Sequence, residues 1–408
     1  MIRVTTLLLA GALLSLTPSS GRAEGDGLVN DTVRIGVLTD MAGPFADQVG
    51  KGSVVAAHLA AEDFAAEAQG LKVEILAADH QNKPDIGVGI VRHWVDEDQV
   101  AAVVDLPNSG VALAVANLMH QKNRVALASS AATSDLTGKA CAPTTVQWVS
   151  DTWSQSHTLV HALLGQNLQT WFFVDVDYAL GKTLERDATE AIVAGGGKVL
   201  GVVRVPLGTT DFSSPLIEAQ SSGAQAIALA NTGADAINAI KQAAEFGLTK
   251  KGAELAALFL QISDVHSVGL ATAQGLLLPS PFYWDLTDRT RAWSQRFAAR
   301  MDGRMPTMMQ AGVYSATMAY LRAQRSVRTL DGAKAVAAMK DKPIDDPLFG
   351  PTIIRADGRA VHASHLFRVK SPAESKGPWD MYHLVATIPP DKAFRPMAEG
   401  HCPMVANQ

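Results

Sequence analysis

The sequence predicts an α/β protein made of two parallel sheets, each flanked by helices. Three observations carry that prediction. Four strand patterns alternate with three helix patterns between Val33 and Ala128, which implies βαβ units. The alternation restarts after the short run Thr144–Val149. The strand ends open into loops rich in Ser, Thr, Asn and Gly, the place where open α/β sheets hold ligands.

Taken in order, Val33–Leu38 (V-R-I-G-V-L) is the first strand and Thr39–Gly50 its exit loop. Lys51–Glu67 places Ala, Val, Leu and Phe at helical spacing. Lys72–Ala78 is a strand ending at Asp79-His80-Gln81-Asn82, and Pro84–Asp96 is a helix. Val100–Asp105 is a strand ended by Leu106-Pro107-Asn108-Ser109, and Gly110–Lys122 is a helix. Arg124–Ala128 then feeds the loop Leu127–Leu136, in which Ser129, Ser130, Ala131, Ala132, Thr133 and Ser134 follow one another. Small side chains leave backbone N–H groups approachable, and hydroxyls both donate and accept. A loop of this kind at a strand end suits a carboxylate.

The second half repeats the architecture without repeating residues. Asp151–Leu164 is a helix, Thr170–Val176 (T-W-F-F-V-D-V) a buried strand, and Leu180–Val193 a helix stopped by Gly195-Gly196-Gly197. Val199–Val205, Ser213–Ser222, Ala224–Ala230, Ala234–Phe246 and Leu255–Leu260 continue the alternation. The last third is less regular. It holds a short strand at Gly275–Leu278, helices at Asp288–Met301 and Gly312–Arg325, and a hairpin turning at Ala356-Asp357-Gly358-Arg359. Met381–Ile388 is the final strand.

Composition narrows the function. With 408 residues, 47% hydrophobic and 18% charged, the chain is globular and long enough for two domains. Its net charge is −5, a poor match to nucleic acid or an anionic membrane. Met1-Ile2-Arg3, the apolar Val4–Leu16 and the small residues of Gly21-Arg22-Ala23 form a secretory leader with a cut before Glu24. Losing residues 1–23 removes two arginines and no acid, taking the charge to −7. No Cys sits at the cut, so the expected product is a soluble periplasmic protein. In an oxidising compartment the only two cysteines, Cys141 and Cys402, favour a disulfide.

Enzyme signatures are missing. There is no H-E-x-x-H, no Walker-type G-x-x-x-x-G-K-[ST] loop, no G-x-S-x-G and no S-x-x-K. Gly87-Val88-Gly89 does not continue as G-x-x-G. The one H-x-x-H, His362 and His365, spans a predicted strand and would face opposite sides. The reading is therefore a binding protein needing no cofactor or metal.

The leader, V-R-I-G-V-L-T-D-M-A-G-P-F-A, S-S-A-A-T-S-D-L and F-F-V-D-V-D-Y-A-L-G, in that order, resemble the periplasmic solute-binding proteins of the branched-chain amino acid transport family. The resemblance covers the mature chain. It implies a type I periplasmic binding protein fold, with two Rossmann-like lobes joined by three crossovers and a ligand cleft between them. Lobe 1 would take residues 24–149 and 280–348, lobe 2 residues 150–279 and 349–390, and a tail residues 391–408. The crossovers would fall near Val149–Thr152, Pro279–Tyr283 and Asp346–Gly350, with the hairpin in lobe 2.

The resemblance also implies a site. Ala131 and Thr133, with Ser130 beside them, would hold a ligand carboxylate by backbone N–H and hydroxyl, leaving Asp135 to cap the next turn. Asn108 or Ser109 would supply a polar contact after the third strand, and Tyr178 would close over the ligand. Gln48 stands near where amino-acid binders carry Tyr. The second-lobe acid that neutralises an ammonium group has only the candidates Ser263 and Asp264, in Q-I-S-D-V-H from Gln261. Thr232 ends another second-lobe strand. Independently of the resemblance, Trp153, Tyr283 and Tyr314 stand at strand ends or crossover loops, where a cleft needs an apolar wall, and Asn82 would suit a polar ring substituent. D-H-Q-N-K-P and S-D-L-T-G-K-A-C look closer to the branch that binds aromatic acids. The expected ligand is an aromatic or phenylpropanoid-type carboxylate, the expected partner an inner-membrane ABC permease, and the expected state a monomer. A branched-chain or other amino acid remains the alternative ligand, and a ligand-sensing periplasmic protein the alternative role.

Overall fold

The computed structural model describes residues 27–248 and 252–405, together with Ile2; the leader and its cut lie outside the described residues. The first sheet takes β1 (Thr32–Thr39), β2 (Lys72–Asp79), β3 (Ala102–Asp105), β4 (Val125–Ala128) and β5 (Thr145–Gln147). All are parallel, in the order β2-β1-β3-β4-β5. Helices α1 (Gly50–Ala65), α2 (Pro84–Asp96) and α3 (Ser109–Gln121) connect them. Sequence marks the helix starts: Pro84 stands in the first turn of α2, and the Asn108 side chain accepts from the Gly110 and Val111 N–H groups.

The second unit opens with α4 (Thr152–Leu164), capped by Asp151 on Ser154 N at 2.8 Å. Its sheet holds β6 (Thr170–Val176), β7 (Lys198–Val205), β8 (Ala226–Ala230) and β9 (Glu254–Ala257), parallel in the order β7-β6-β8-β9. Its helices are α5 (Ala179–Ala194), α6 (Ser213–Ser221), α7 (Gly233–Glu245), α8 (Ile262–Val268) and α9 (Leu270–Ala273). Both sheets place their first strand between the second and third. All their strands therefore point carboxyl ends at one edge.

The remaining third is shared out. β10 (Leu277–Ser280) belongs to the second unit. Then α10 (Asp288–Ala298), α11 (Met308–Val327) and α12 (Gly332–Lys340) return to the first, where α11 is buried on almost every side between α1, α12 and β3. Sequence periodicity missed α12, although Asp331 caps it on Lys334 N at 2.9 Å. Next come β11 (Ile344–Asp346), β12 (Gly350–Ile354), β13 (Ala360–Val361), β14 (Ser364–Val369), β15 (Tyr382–Ile388) and α13 (Pro390–Ala393).

The expected placement of the hairpin is corrected. β12 pairs with the two-residue β13 around the Asp-Gly turn, whereas β14 pairs with β10 and β15. The hairpin lies on the β5 edge of the first unit. Gln147 N donates to Gly358 O at 3.0 Å, and the fully buried Arg359 donates to Trp148 O at 3.1 Å. Gly358 has φ +85, and a Cβ there would meet the Thr145 carbonyl. Arg359 also lies 3.6 Å from Asp151 and 4.4 Å above the Phe394 ring. The third crossing thus comes at His362–Ala363, not near Asp346–Gly350. The tail joins the first unit too, through the Cys141–Cys402 disulfide (Cα–Cα 5.6 Å) and Arg395 donating to Ser134 O at 2.9 Å.

Candidate functional site

The strand ends of the first unit are built around Asp40. Its carboxylate accepts from Gly43 N (2.7 Å), Phe45 N (2.9 Å) and Asn82 Nδ2 (2.8 Å). Asn82 Oδ1 then accepts from Asn108 Nδ2 at 3.3 Å, while Asn108 caps α3. Asn82 and Asn108, read as ligand contacts, therefore spend their polar groups shaping the β1 exit loop. Ser109 is different: its hydroxyl is buried and has no partner among the described residues.

The Ser-Ala-Thr loop is pinned from behind. Gln147 Nε2 donates to Ala131 O at 2.9 Å and to Thr133 O at 3.0 Å. The N–H groups of Ala131, Ala132 and Thr133 are buried and find no acceptor among the described residues. Three consecutive donors in that condition are rare, because buried backbone groups are almost always paired. The Thr133 hydroxyl instead accepts from Asp135 N at 3.4 Å, capping the single turn Ser134–Thr137. That corrects the expectation for Asp135, whose carboxylate pairs with Arg186 of α5 at 2.8 Å and Lys139 at 3.1 Å. Ser130 donates to the buried Asp105.

Across the cleft the two units touch. Gln48 Nε2 donates to Asp264 Oδ2 at 2.6 Å and to Thr232 Oγ1 at 2.8 Å. Ala234 N donates to Pro44 O at 3.2 Å, and Gly233, with φ +60, is required there because a Cβ would strike the Pro44 carbonyl. Phe45 and Tyr178 stack with ring centroids 6.3 Å apart and planes at 30°. Burial, with Asp235 and Asp175 nearby, raises the Tyr178 phenol well above its ordinary value, so it stays a neutral donor. Asp264 forms a capping box with Gln261 at the start of α8, and burial pushes its carboxyl up to about 7.

Several buried polar atoms at these strand ends lack partners among the described residues: Gln48 Oε1, Gln261 Nε2 and both ends of Asn231. Asn231 was missed in the sequence, although it directly precedes Thr232 at the end of β8. Gln155, in the first turns of α4, was missed as well; it is fully buried with both amide ends unpartnered.

Three expected residues point elsewhere, and a fourth stands at the cleft mouth. Trp153 stacks on His157 at 3.8 Å and lines an outer groove of about 230 Å³ with His161, Leu366, Ile388 and Lys392. Tyr314 donates to Asp63 at 2.8 Å, on the side of α11 that packs against α1. The Tyr283 hydroxyl is taken up by Trp379 O and Met381 N inside the second unit's aromatic core. Ser263, whose buried hydroxyl has no partner among the described residues, lines a wide opening of about 530 Å³ at the cleft mouth, beside Met41 and Trp379. Helical rotation and strand pairing decide these directions, and neither is fixed by local sequence.

The family described as "Periplasmic binding protein" matches residues 32–378. A crystal structure of a periplasmic binding protein from Burkholderia mallei is 42% identical over 92% of this chain and 99% of its own, with a TM-score of 0.89. A branched chain amino acid ABC transporter periplasmic ligand-binding protein from Burkholderia xenovorans LB400 is 41% identical over 91% and 99%, with a TM-score of 0.81. A solute binding protein of an ABC transporter from Rhodopseudomonas palustris BisB5, in complex with 3,4-dihydroxybenzoic acid, is 22% identical over 88% and 98%, with a TM-score of 0.78. The last likeness shows the fold alone. Among the described residues no helix is long and apolar enough to cross a membrane.

Proposed function

This chain belongs to the periplasmic binding protein family, of the ABC-transporter type, and from that premise we propose that it captures one small carboxylate between its two units. An aromatic or phenylpropanoid-type acid is the ligand we favour. The bound acid is then handed to an inner-membrane ABC permease, the protein acting as a periplasmic monomer. The observation that carries the carboxylate is the row of buried, unpaired N–H groups at Ala131, Ala132 and Thr133. Two or three such donors suit an anion without requiring a cation.

Two features favour a ring over an amino acid. Phe45 and Tyr178 bring aromatic faces from both units to the cleft. Asp264, the acid that would meet an ammonium group, already accepts from Gln48 and Gln261 N, and burial raises its pKa. The amino-acid reading keeps one point of support, because a carboxyl does stand at that position. Closure follows from contact with both units: a ligand stabilises the closed state only by the free energy of contacts absent in the open one.

Thermal-shift screening tests this. At about 100 times its dissociation constant a ligand stabilises by roughly 2.7 kcal/mol. Benzoates and cinnamates should raise the melting temperature and leucine should not. Stabilisation by leucine with no response to any aromatic acid would overturn the reading.

A further inference from the structure

Asp105 closes β3 beneath the carboxylate cradle, and its surroundings are unusual for an acid. It is fully buried. Its backbone and side chain together grip the loop: Asp105 N donates to Ser129 Oγ at 3.1 Å, Ser130 N donates to Asp105 O at 3.1 Å, and Ser130 Oγ donates to Asp105 Oδ1. Asp105 and the next residue, Leu106, both hold positive φ, +85 and +64. Side-chain residues adopt that backbone at a cost and persist in it where the surroundings over-determine them. Meanwhile Oδ2 has no hydrogen-bond partner among the described residues.

Among the described residues no cation pairs with this carboxyl. From β1 come the Thr39 hydroxyl and the Asp40 carboxylate, and from α1 the Ser53 hydroxyl. His80 lies by Asp40, where burial drives its ring toward the neutral form. On α11, which packs over β3, Tyr314 is engaged by Asp63 and Tyr320 by Gln324. On α3 the titratable residue, His120, stands in the last turn. The Ser130, Thr39 and Ser53 hydroxyls offset part of the cost of burying this carboxylate, and with no counter-charge the usual escape is protonation. Burial raises the Asp105 carboxyl to about 6.

We propose that Asp105 is a proton-linked positioning residue, which holds the cradle loop in place through Ser129 and Ser130 and takes up one proton when a carboxylate enters the cleft. The proposal rests on the carboxylate reading above. One proton leaves the solvent and adds to Asp105 Oδ2, and no other bond changes. Only Ser130 separates Asp105 from the first donor of the cradle, so a bound anion adds repulsion to a carboxylate that already lacks a counter-charge. The neutral acid keeps its grip on Ser130 and removes the repulsion.

The test is calorimetry of the intact protein with benzoate, 4-hydroxybenzoate and cinnamate in phosphate, HEPES and Tris at pH 7. The binding enthalpy should vary with buffer ionisation enthalpy with a slope near one proton taken up. Affinity should fall about tenfold per unit as pH rises above 7, the dependence for one linked proton. Asp105→Asn should bind the same acid without either dependence. Binding by wild type with no buffer slope overturns the proposal while leaving the carboxylate reading intact, and needs no variant to fold. Failure of every acid to bind overturns both.

Discussion

Gln48 Nε2 lies 2.6 Å from Asp264 Oδ2, a hydrogen bond joining the β1 exit of the first unit to the start of α8 in the second. The same amide reaches Thr232 Oγ1 at 2.8 Å, so one side chain supplies two of the links that hold the cleft closed. Each is worth about 1 kcal/mol net. Gln48→Ala should therefore weaken binding of every ligand by about 2 kcal/mol, roughly thirtyfold, without changing their order. Calorimetry across a ligand panel checks this, and a change in ranking would mean that Gln48 reads the ligand directly.

Asp264 should also make stability depend on pH. Burial raises its folded pKa to about 7 from an ordinary 3.8. Between those values the folded state binds more protons than the unfolded state. Its contribution is thus fully favourable below about pH 4, is lost as pH rises toward 7, and stays lost above. Asp264→Asn removes that dependence. Urea unfolding should find the variant gaining on wild type from pH 4 to pH 8, and parallel curves would refute the assignment.

Thr133 separates backbone from side-chain chemistry. Its hydroxyl caps the turn Ser134–Thr137 while its N–H belongs to the unpaired row. Thr133→Val should cost about 1 kcal/mol of stability through the lost cap. It should weaken carboxylates only as far as the turn loosens, by a few-fold, and Thr133→Ser should restore both. Melting temperature and calorimetry on the two variants check this.

Much of the scaffold was legible in the sequence because buried parallel strands read as continuous apolar runs. V-R-I-G-V-L and T-W-F-F-V-D-V became β1 and β6, and the loop at Ser129–Thr133 sits at a strand end as expected. What stayed hidden is directional or non-local. Nothing local says that Tyr314 turns toward Asp63, or that Trp153 lies down on His157. A charged residue is an unlikely core member, so the burial of Arg359, which ties the hairpin to Trp148, had no signal. Asn231 and Gln155 looked like ordinary loop and helix polarity until burial left their amides unpartnered.

The placement of Tyr314 yields a negative control. Its hydroxyl donates to Asp63, which also takes both guanidinium nitrogens of Arg296. Tyr314→Phe should leave affinity for every ligand unchanged. It should cost about 1 kcal/mol of stability for the lost hydrogen bond. Loss of ligand binding without loss of stability would restore the cleft role for this tyrosine.

The Cys141–Cys402 disulfide ties the chain just beyond the cradle to the tail, across 261 residues of sequence. Closing so long a loop restrains the unfolded chain strongly, and disulfides of this kind contribute typically about 2–4 kcal/mol. The tail also holds its place by other means. Arg395 donates to Ser134 O, and Phe394 packs beneath Arg359. The double variant Cys141→Ser, Cys402→Ser should therefore fold with its tail still docked. Its unfolding free energy should drop by about that amount. Ligand affinity should change less than in Gln48→Ala, because Gln147, not the tail, pins the Ala131 and Thr133 carbonyls. Chemical denaturation and calorimetry on the double variant separate the two effects, and an affinity loss larger than that of Gln48→Ala would show that the tail, through Ser134, sets the geometry of the cradle.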